Sequence, residues 1–117
     1  MSIKIEKFKL ETRILIIICS DYLVGVCVVR GIQGLEHLVL STVKNFTKDL
    51  PKYKFLGEVR YALIYECPQV LVEKISDHVQ VIKEENLGDF KYLVYKLREY
   101  LNKVLLVVKS FKPHINK

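Results

Sequence analysis

Three histidines, three cysteines and two Ser-Asp pairs are the raw material for any chemistry this 117-residue chain performs. His37, His78 and His114 stand far apart, on a helix face, in a turn and in the tail, and none has a second ligand at the short spacing a zinc site uses. Ser20-Asp21 and Ser76-Asp77 are adjacent pairs in turn-forming stretches, where a short polar side chain caps its own backbone far more often than it serves as nucleophile and base. Cys19, Cys27 and Cys67 fall inside apolar segments without CxxC spacing. An odd number of buried thiols suits a reducing, cytoplasmic setting better than a disulfide framework. No glycine-rich loop has the P-loop or dinucleotide pattern. These residues therefore imply no catalytic group, no metal and no cofactor, and binding becomes the function to look for.

The charge distribution points the same way. The net charge of +6 divides into +2 over residues 1–13, −2 over 14–90 and +6 over 91–117. A basic C-terminal stretch suits nucleic acid, an anionic membrane surface or an acidic protein face, or else it is a solvated helix surface. Within it, Tyr92, Tyr95, Lys96 and Arg98 share the polar side of a helix, and exposed aromatics beside cations are candidates for a partner-binding surface. Half the residues are hydrophobic, rich for a small monomer, so a homodimer or another protein partner is expected. The longest apolar run, Ile14–Cys19, is far too short to span a bilayer. The charged N-terminus has no signal-peptide pattern.

The elements that must carry these residues follow from periodicity. In DFKYLVYKLREYLNKVLLVVKSF, residues 89–111, the apolar positions Phe90, Val94, Leu97, Leu101, Val104, Val108 and Phe111 alternate between spacings of four and three, which predicts a long amphipathic helix. Asp89, or Asn86 one turn earlier, is its expected cap, and Pro113 forbids its continuation. Ile14–Cys19 and Leu23–Val29 are almost wholly apolar, so both are expected as strands covered on both faces, joined by a turn at Ser20-Asp21-Tyr22. Leu35, Leu38, Val39, Thr42, Val43, Phe46 and Leu50 line up at helical spacing, predicting a helix over 35–50 stopped by Pro51. Alternation over 59–66, 69–76 and 79–83 predicts three further strands, and residues 2–10 a short edge strand. One domain is expected over 1–117, with a core at about 12–111 and a basic tail at 112–117.

Two families share parts of this pattern. The order ββαβββα, with its last helix entered through Asn86-Leu87-Gly88 in VQVIKEENLGDFKYLVYKLREYLNKVL, resembles the roadblock/longin group of profilin-like domains. That resemblance implies an α/β three-layer sandwich with a mostly antiparallel sheet and a long C-terminal helix. It further implies a non-enzymatic, dimeric adaptor that docks a small Ras-like GTPase or related machinery. The dimer seam would lie on the helix over 35–50, at Leu35, Leu38, Val39, Val43 and Phe46.

ILIIICSDYLVGVCVVR followed by DLPKYKFLGEVRYALIYECPQVLVEKI also resembles the RuvC-like, RNase H-fold resolvases. In that family an aspartate on one strand and a glutamate on a later strand hold two metal ions that clamp a phosphodiester. Here Ile18 stands at the aspartate position, Asp21 follows three residues later, and Glu73 is the expected glutamate. This second register requires residues 35–46 to be a strand, against their helical spacing, and implies a nucleic-acid-binding protein or a degenerate nuclease.

Overall fold

A computed structural model describes residues 12–30, 34–87 and 91–110. The strand expected over 2–10, the cap at Asp89 and the tail at 112–117 lie outside the described residues. The elements run β1 (Arg13–Ser20), β2 (Leu23–Arg30), β3 (Gly34–Thr42), α1 (Val43–Asp49), β4 (Tyr61–Tyr65), α2 (Gln69–Ser76), β5 (Gln80–Val81) and α3 (Lys91–Ser110). Short 3-10 turns at Leu50–Lys52, Lys54–Gly57 and Glu84–Asn86 connect them. The result is a mixed α/β domain around one five-stranded sheet of order β3-β2-β1-β4-β5. The pairings are antiparallel across β1–β2–β3 and parallel at β1–β4 and β4–β5.

β1 is the middle strand, and its side chains alternate between two cores as a strand's period of two requires. Leu15, Ile17 and Cys19 point into one core, together with Val24, Val26 and Val28 of β2, Phe46 of α1 and Leu71 and Ile75 of α2. Ile14, Ile16 and Ile18 point into the other, with Cys27, Val29, Leu63 and the Val94, Leu101 and Leu105 stripe of α3. An unbroken apolar run is thus what a strand buried on both faces needs. Gly25 lies beneath α3, where a Cβ would stand 3.2 Å from a methyl carbon of Leu101, so even an alanine there would require the Leu101 side chain to give by a few tenths of an ångström.

The expected order ββαβββα is not the observed one, β1β2β3α1β4α2β5α3, and two assignments account for the difference. Residues 34–42, expected as the first half of a helix, form β3 against the full length of β2. The misleading signal was a β-bulge. Val28 faces His37 while Val29 faces Leu35, so Glu36 is the extra residue, and Leu35, Leu38 and Leu40 fall on one face. A bulge converts a spacing of two into three, and the three-residue step then ran in phase with the true helix that follows. That helix, α1, is capped by Thr42, whose hydroxyl accepts from the Asn45 amide at 3.1 Å. The bulged Glu36 also closes a charge cluster. Arg13 and Arg30 are directly paired across β1 and β2, and the Glu36 carboxylate lies 2.7 Å from Arg13 and 3.7 Å from Arg30. The hydrogen bond from Arg13 holds the Glu36 carboxyl below its ordinary pKa.

Residues 69–76 are likewise a helix rather than a strand. Pro68 opens it, having no amide hydrogen to leave unpaired, and Leu71 and Ile75, four apart, are its buried face while Val70 is left exposed. Cysteine usage also differs from expectation. The parallel β1–β4 pairing brings Cys19 and Cys67 together as a disulfide with a Cα–Cα distance of 4.9 Å. Cys27 is the free, buried thiol, and burial pushes its pKa up to about 12, so it stays protonated and inert.

Candidate functional site

In an open α/β sheet, ligands bind beyond the carboxyl ends of strands where the chain leaves neighbouring strands in opposite directions. β1 and β4 make such a point. From β1 the chain turns through Asp21-Tyr22 to β2 on one side, and from β4 it passes through Glu66-Cys67-Pro68 to α2 and β5 on the other. A cleft of about 550 Å³ opens there, lined by Ile18, Cys19, Ser20, Asp21, Tyr65, Glu66, Arg98 and Asn102.

The backbone at its mouth is unusual. Asp21 has φ 56° and Glu66 has φ 60°. Asp21 is the first residue of a two-residue hairpin loop closed by the Ser20–Leu23 pair, a position that favours positive φ and tolerates aspartate. Glu66 has no such excuse, and a left-handed conformation costs a residue of this kind about 1–2 kcal/mol. Its neighbour Cys67 is bonded to Cys19. A strained residue at the mouth of a cleft is a pointer to function.

Cations from α3 border the same cleft. Lys109 donates to Ser20 Oγ at 3.1 Å and lies 2.8 Å from Asp21. Arg98 donates to Glu84 at 3.3 Å and holds its guanidinium 4.8 Å from the centre of the Tyr65 ring. Burial first, and then the nearby Glu84 carboxylate, pushes the Tyr65 hydroxyl up to about 12, so Tyr65 stays neutral and offers a ring face. Across the Asp21-Tyr22 turn a second, wider opening has Tyr22, Thr42 and Val70 in its walls and Lys44, Lys48 and Lys74 around it. The carboxyl edge of the sheet therefore carries cations on both sides of one turn.

Most residues singled out from sequence lie elsewhere. Tyr92, Tyr95 and Lys96 share the outer side of α3, with the Lys96 ammonium 5.4 Å above the Tyr92 ring and the Tyr95 hydroxyl donating to Glu99. Arg98 alone of that group turns to the cleft. The five residues expected as a dimer seam do not form one face. Leu35 and Leu38 are exposed on β3, Val39 and Val43 pack against the α1-side core, and Phe46 is wholly buried in it. Phe46 is a core residue and cannot reach a partner.

Glu73, expected as the strand glutamate, is exposed on α2 and outside the cleft. Glu66 is the carboxylate that sequence reasoning missed. Its signal was its place directly after the strand pattern YALIY, at a carboxyl end. His37 lies on β3 with its ring 6.0 Å from Phe55, and His78 follows α2. Among the described residues no three His, Cys, Asp or Glu side chains come together as a metal-binding group, and no helix is long and apolar enough to cross a membrane. No family model matches the chain, and no curated protein matches it.

Proposed function

We propose that this chain is a nucleic-acid-binding domain on a RuvC-like scaffold whose cleavage centre is degenerate. The observation that carries the reading is the group of cations Lys44, Lys48 and Lys74 around the opening at the carboxyl edge, on one side of the Asp21-Tyr22 turn, with Arg98 and Lys109 on the other side held in ion pairs with Glu84 and Asp21. Three further features support it. Residues 34–42 are a strand, which covers most of the 35–46 stretch that the resolvase-like register needs extended, although Val43–Phe46 already belong to α1. The second strand contains Gly25. Carboxylates follow both β1 and β4, at Asp21 and Glu66. Phosphodiester cleavage by two metal ions needs carboxylates that are free to bind them, whereas Ile18, at the aspartate position, is a buried core residue and Asp21 is taken by Lys109. Such an edge grips a phosphate backbone without cutting it.

Fluorescence anisotropy with a labelled four-way DNA junction and an RNA–DNA hybrid tests this. With about three phosphates neutralised, by Lys44, Lys48 and Lys74, affinity is expected to fall roughly 40-fold between about 50 and about 200 mM salt. Replacing Lys44 and Lys74 by alanine is expected to lower the salt slope by about 2. Salt-insensitive or absent binding would remove the proposal, and magnesium- or manganese-dependent cutting lost in Glu66→Gln would replace it with an active nuclease. A second reading, a dimeric adaptor for a small Ras-like GTPase, is favoured by the exposed Tyr92, Tyr95, Tyr100, Leu106 and Val107 on α3. It requires a sedimenting mass near twice 13.7 kDa and no salt-steep nucleic-acid affinity.

A further inference from the structure

We infer that the gap between α3 and β3 is a docking groove for an amphipathic helix with an acidic flank, supplied by a partner protein. The floor of the groove is on β3. Leu35, Leu38 and Leu40 pair with Val29, Cys27 and Gly25 of β2, and residues directly opposite in a sheet share a face. Cys27 and Val29 belong to the core beneath α3, so the three leucines also face the α3 side. There they are left 46%, 40% and 41% exposed.

The wall of the groove is on α3. Arg98 reaches Tyr65 of β4 and Lys109 reaches Ser20 and Asp21, which turns that flank toward the β1–β4 cleft. At 3.6 residues per turn, Tyr100, Val104 and Val107 lie on the opposite flank, on the side of the sheet where β3 runs. Tyr100 and Val107 are exposed there, Val107 to 58%. α3 packs across β1 and β2. With strands about 4.8 Å apart, β3 lies roughly 7 Å to the side of the helix. A second helix packed at the usual distance of about 8–10 Å would therefore rest on β3 and cover its leucines. Anchors at helical spacing in an apolar groove are the geometry of helix recognition.

Charge selects the occupant. Lys96 and Lys103, both exposed and two turns apart, rim the outer margin of the α3 wall. A helix bearing glutamate or aspartate along that side gains from both. The helices described in this chain all expose lysine, with Lys44 and Lys48 on α1, Lys74 on α2 and Lys91, Lys96 and Lys103 on α3, so a second copy would set like charges together. This groove is on the opposite flank of α3 from the nucleic-acid edge and does not depend on that reading.

The test uses the full chain and two synthetic helical peptides with leucines at i, i+3, i+4 and i+7, one flanked by glutamates and one by lysines, compared by anisotropy at physiological salt. The glutamate peptide is expected to bind at least tenfold tighter. Leu38→Asp and Val107→Asp, at exposed positions and checked for unchanged thermal unfolding, are each expected to weaken it tenfold or more. Lys96→Glu with Lys103→Glu should reverse the preference between peptides. The inference is overturned if neither peptide binds, if Leu38→Asp and Val107→Asp leave binding unchanged, or if the chain sediments as a dimer that Leu38→Asp dissociates, which would make a second copy the occupant.

Discussion

Reduction of the Cys19–Cys67 bond is expected to lower the unfolding free energy by about 4 kcal/mol. The bond joins residues separated by 48 positions, and the chain entropy that the unfolded state regains when such a loop is no longer closed is worth about that much at 25 °C. Urea unfolding of the oxidised chain against the chain in a phosphine reductant measures the difference. A change under about 1 kcal/mol would mean that parallel pairing of β1 with β4 is sufficient by itself. Cys27 supplies an internal control, because its buried thiol should resist alkylation until the chain unfolds in either state.

The second large effect separates two residues of similar appearance in the sequence. Phe46→Ala is expected to cost about 3–5 kcal/mol, because a wholly buried ring 5.2 Å from Tyr53 leaves a cavity its neighbours cannot fill. Leu38→Ala is expected to cost less than about 1 kcal/mol, since Leu38 is only partly removed from water. Denaturant midpoints for both variants suffice. Comparable costs at the two positions, falling together with a change in sedimenting mass, would restore a shared helical seam through both.

That contrast marks where the sequence could be read and where it misled. Ile14–Cys19 and Leu23–Val29 announced themselves, because a strand buried on both faces has no polar positions to blur the pattern. The stripe of α3 was equally plain, with three residues at helical spacing, Val94, Leu101 and Leu105, reaching the core. Over 35–50 the periodicity was genuine but belonged to two elements, a bulged strand and a seven-residue helix, whose phases happened to join. Over 69–76 the alternation of Val70 and Val72 competed with the four-residue step from Leu71 to Ile75, and the tertiary core chose the latter. The cleft was not visible at all in this sense. Asp21 with Cys19, Glu66 with Cys67, and Lys109 come from three distant parts of the chain, and the parallel pairing of β1 with β4 and the packing of α3, which leave no local mark, bring them to one edge.

The central position of β1 also bears on how the chain is made. Its partner β2 follows after a two-residue turn, and a hairpin of that kind closes in about 1–10 μs. Its other partner, β4, begins at Tyr61, so the Ile14–Tyr61 pairing must wait for a long intervening stretch. At synthesis rates of roughly 5–20 residues per second, the nascent chain would hold an open isoleucine-rich strand edge for about 2–9 s after β1 emerges. Such an edge is a template for joining other chains. A fragment ending before Arg60 is accordingly expected to self-associate, scattering light under conditions where the full chain stays clear, and a monodisperse fragment would show that the three-strand meander protects its own edge. The vulnerable interval ends only when β4 arrives.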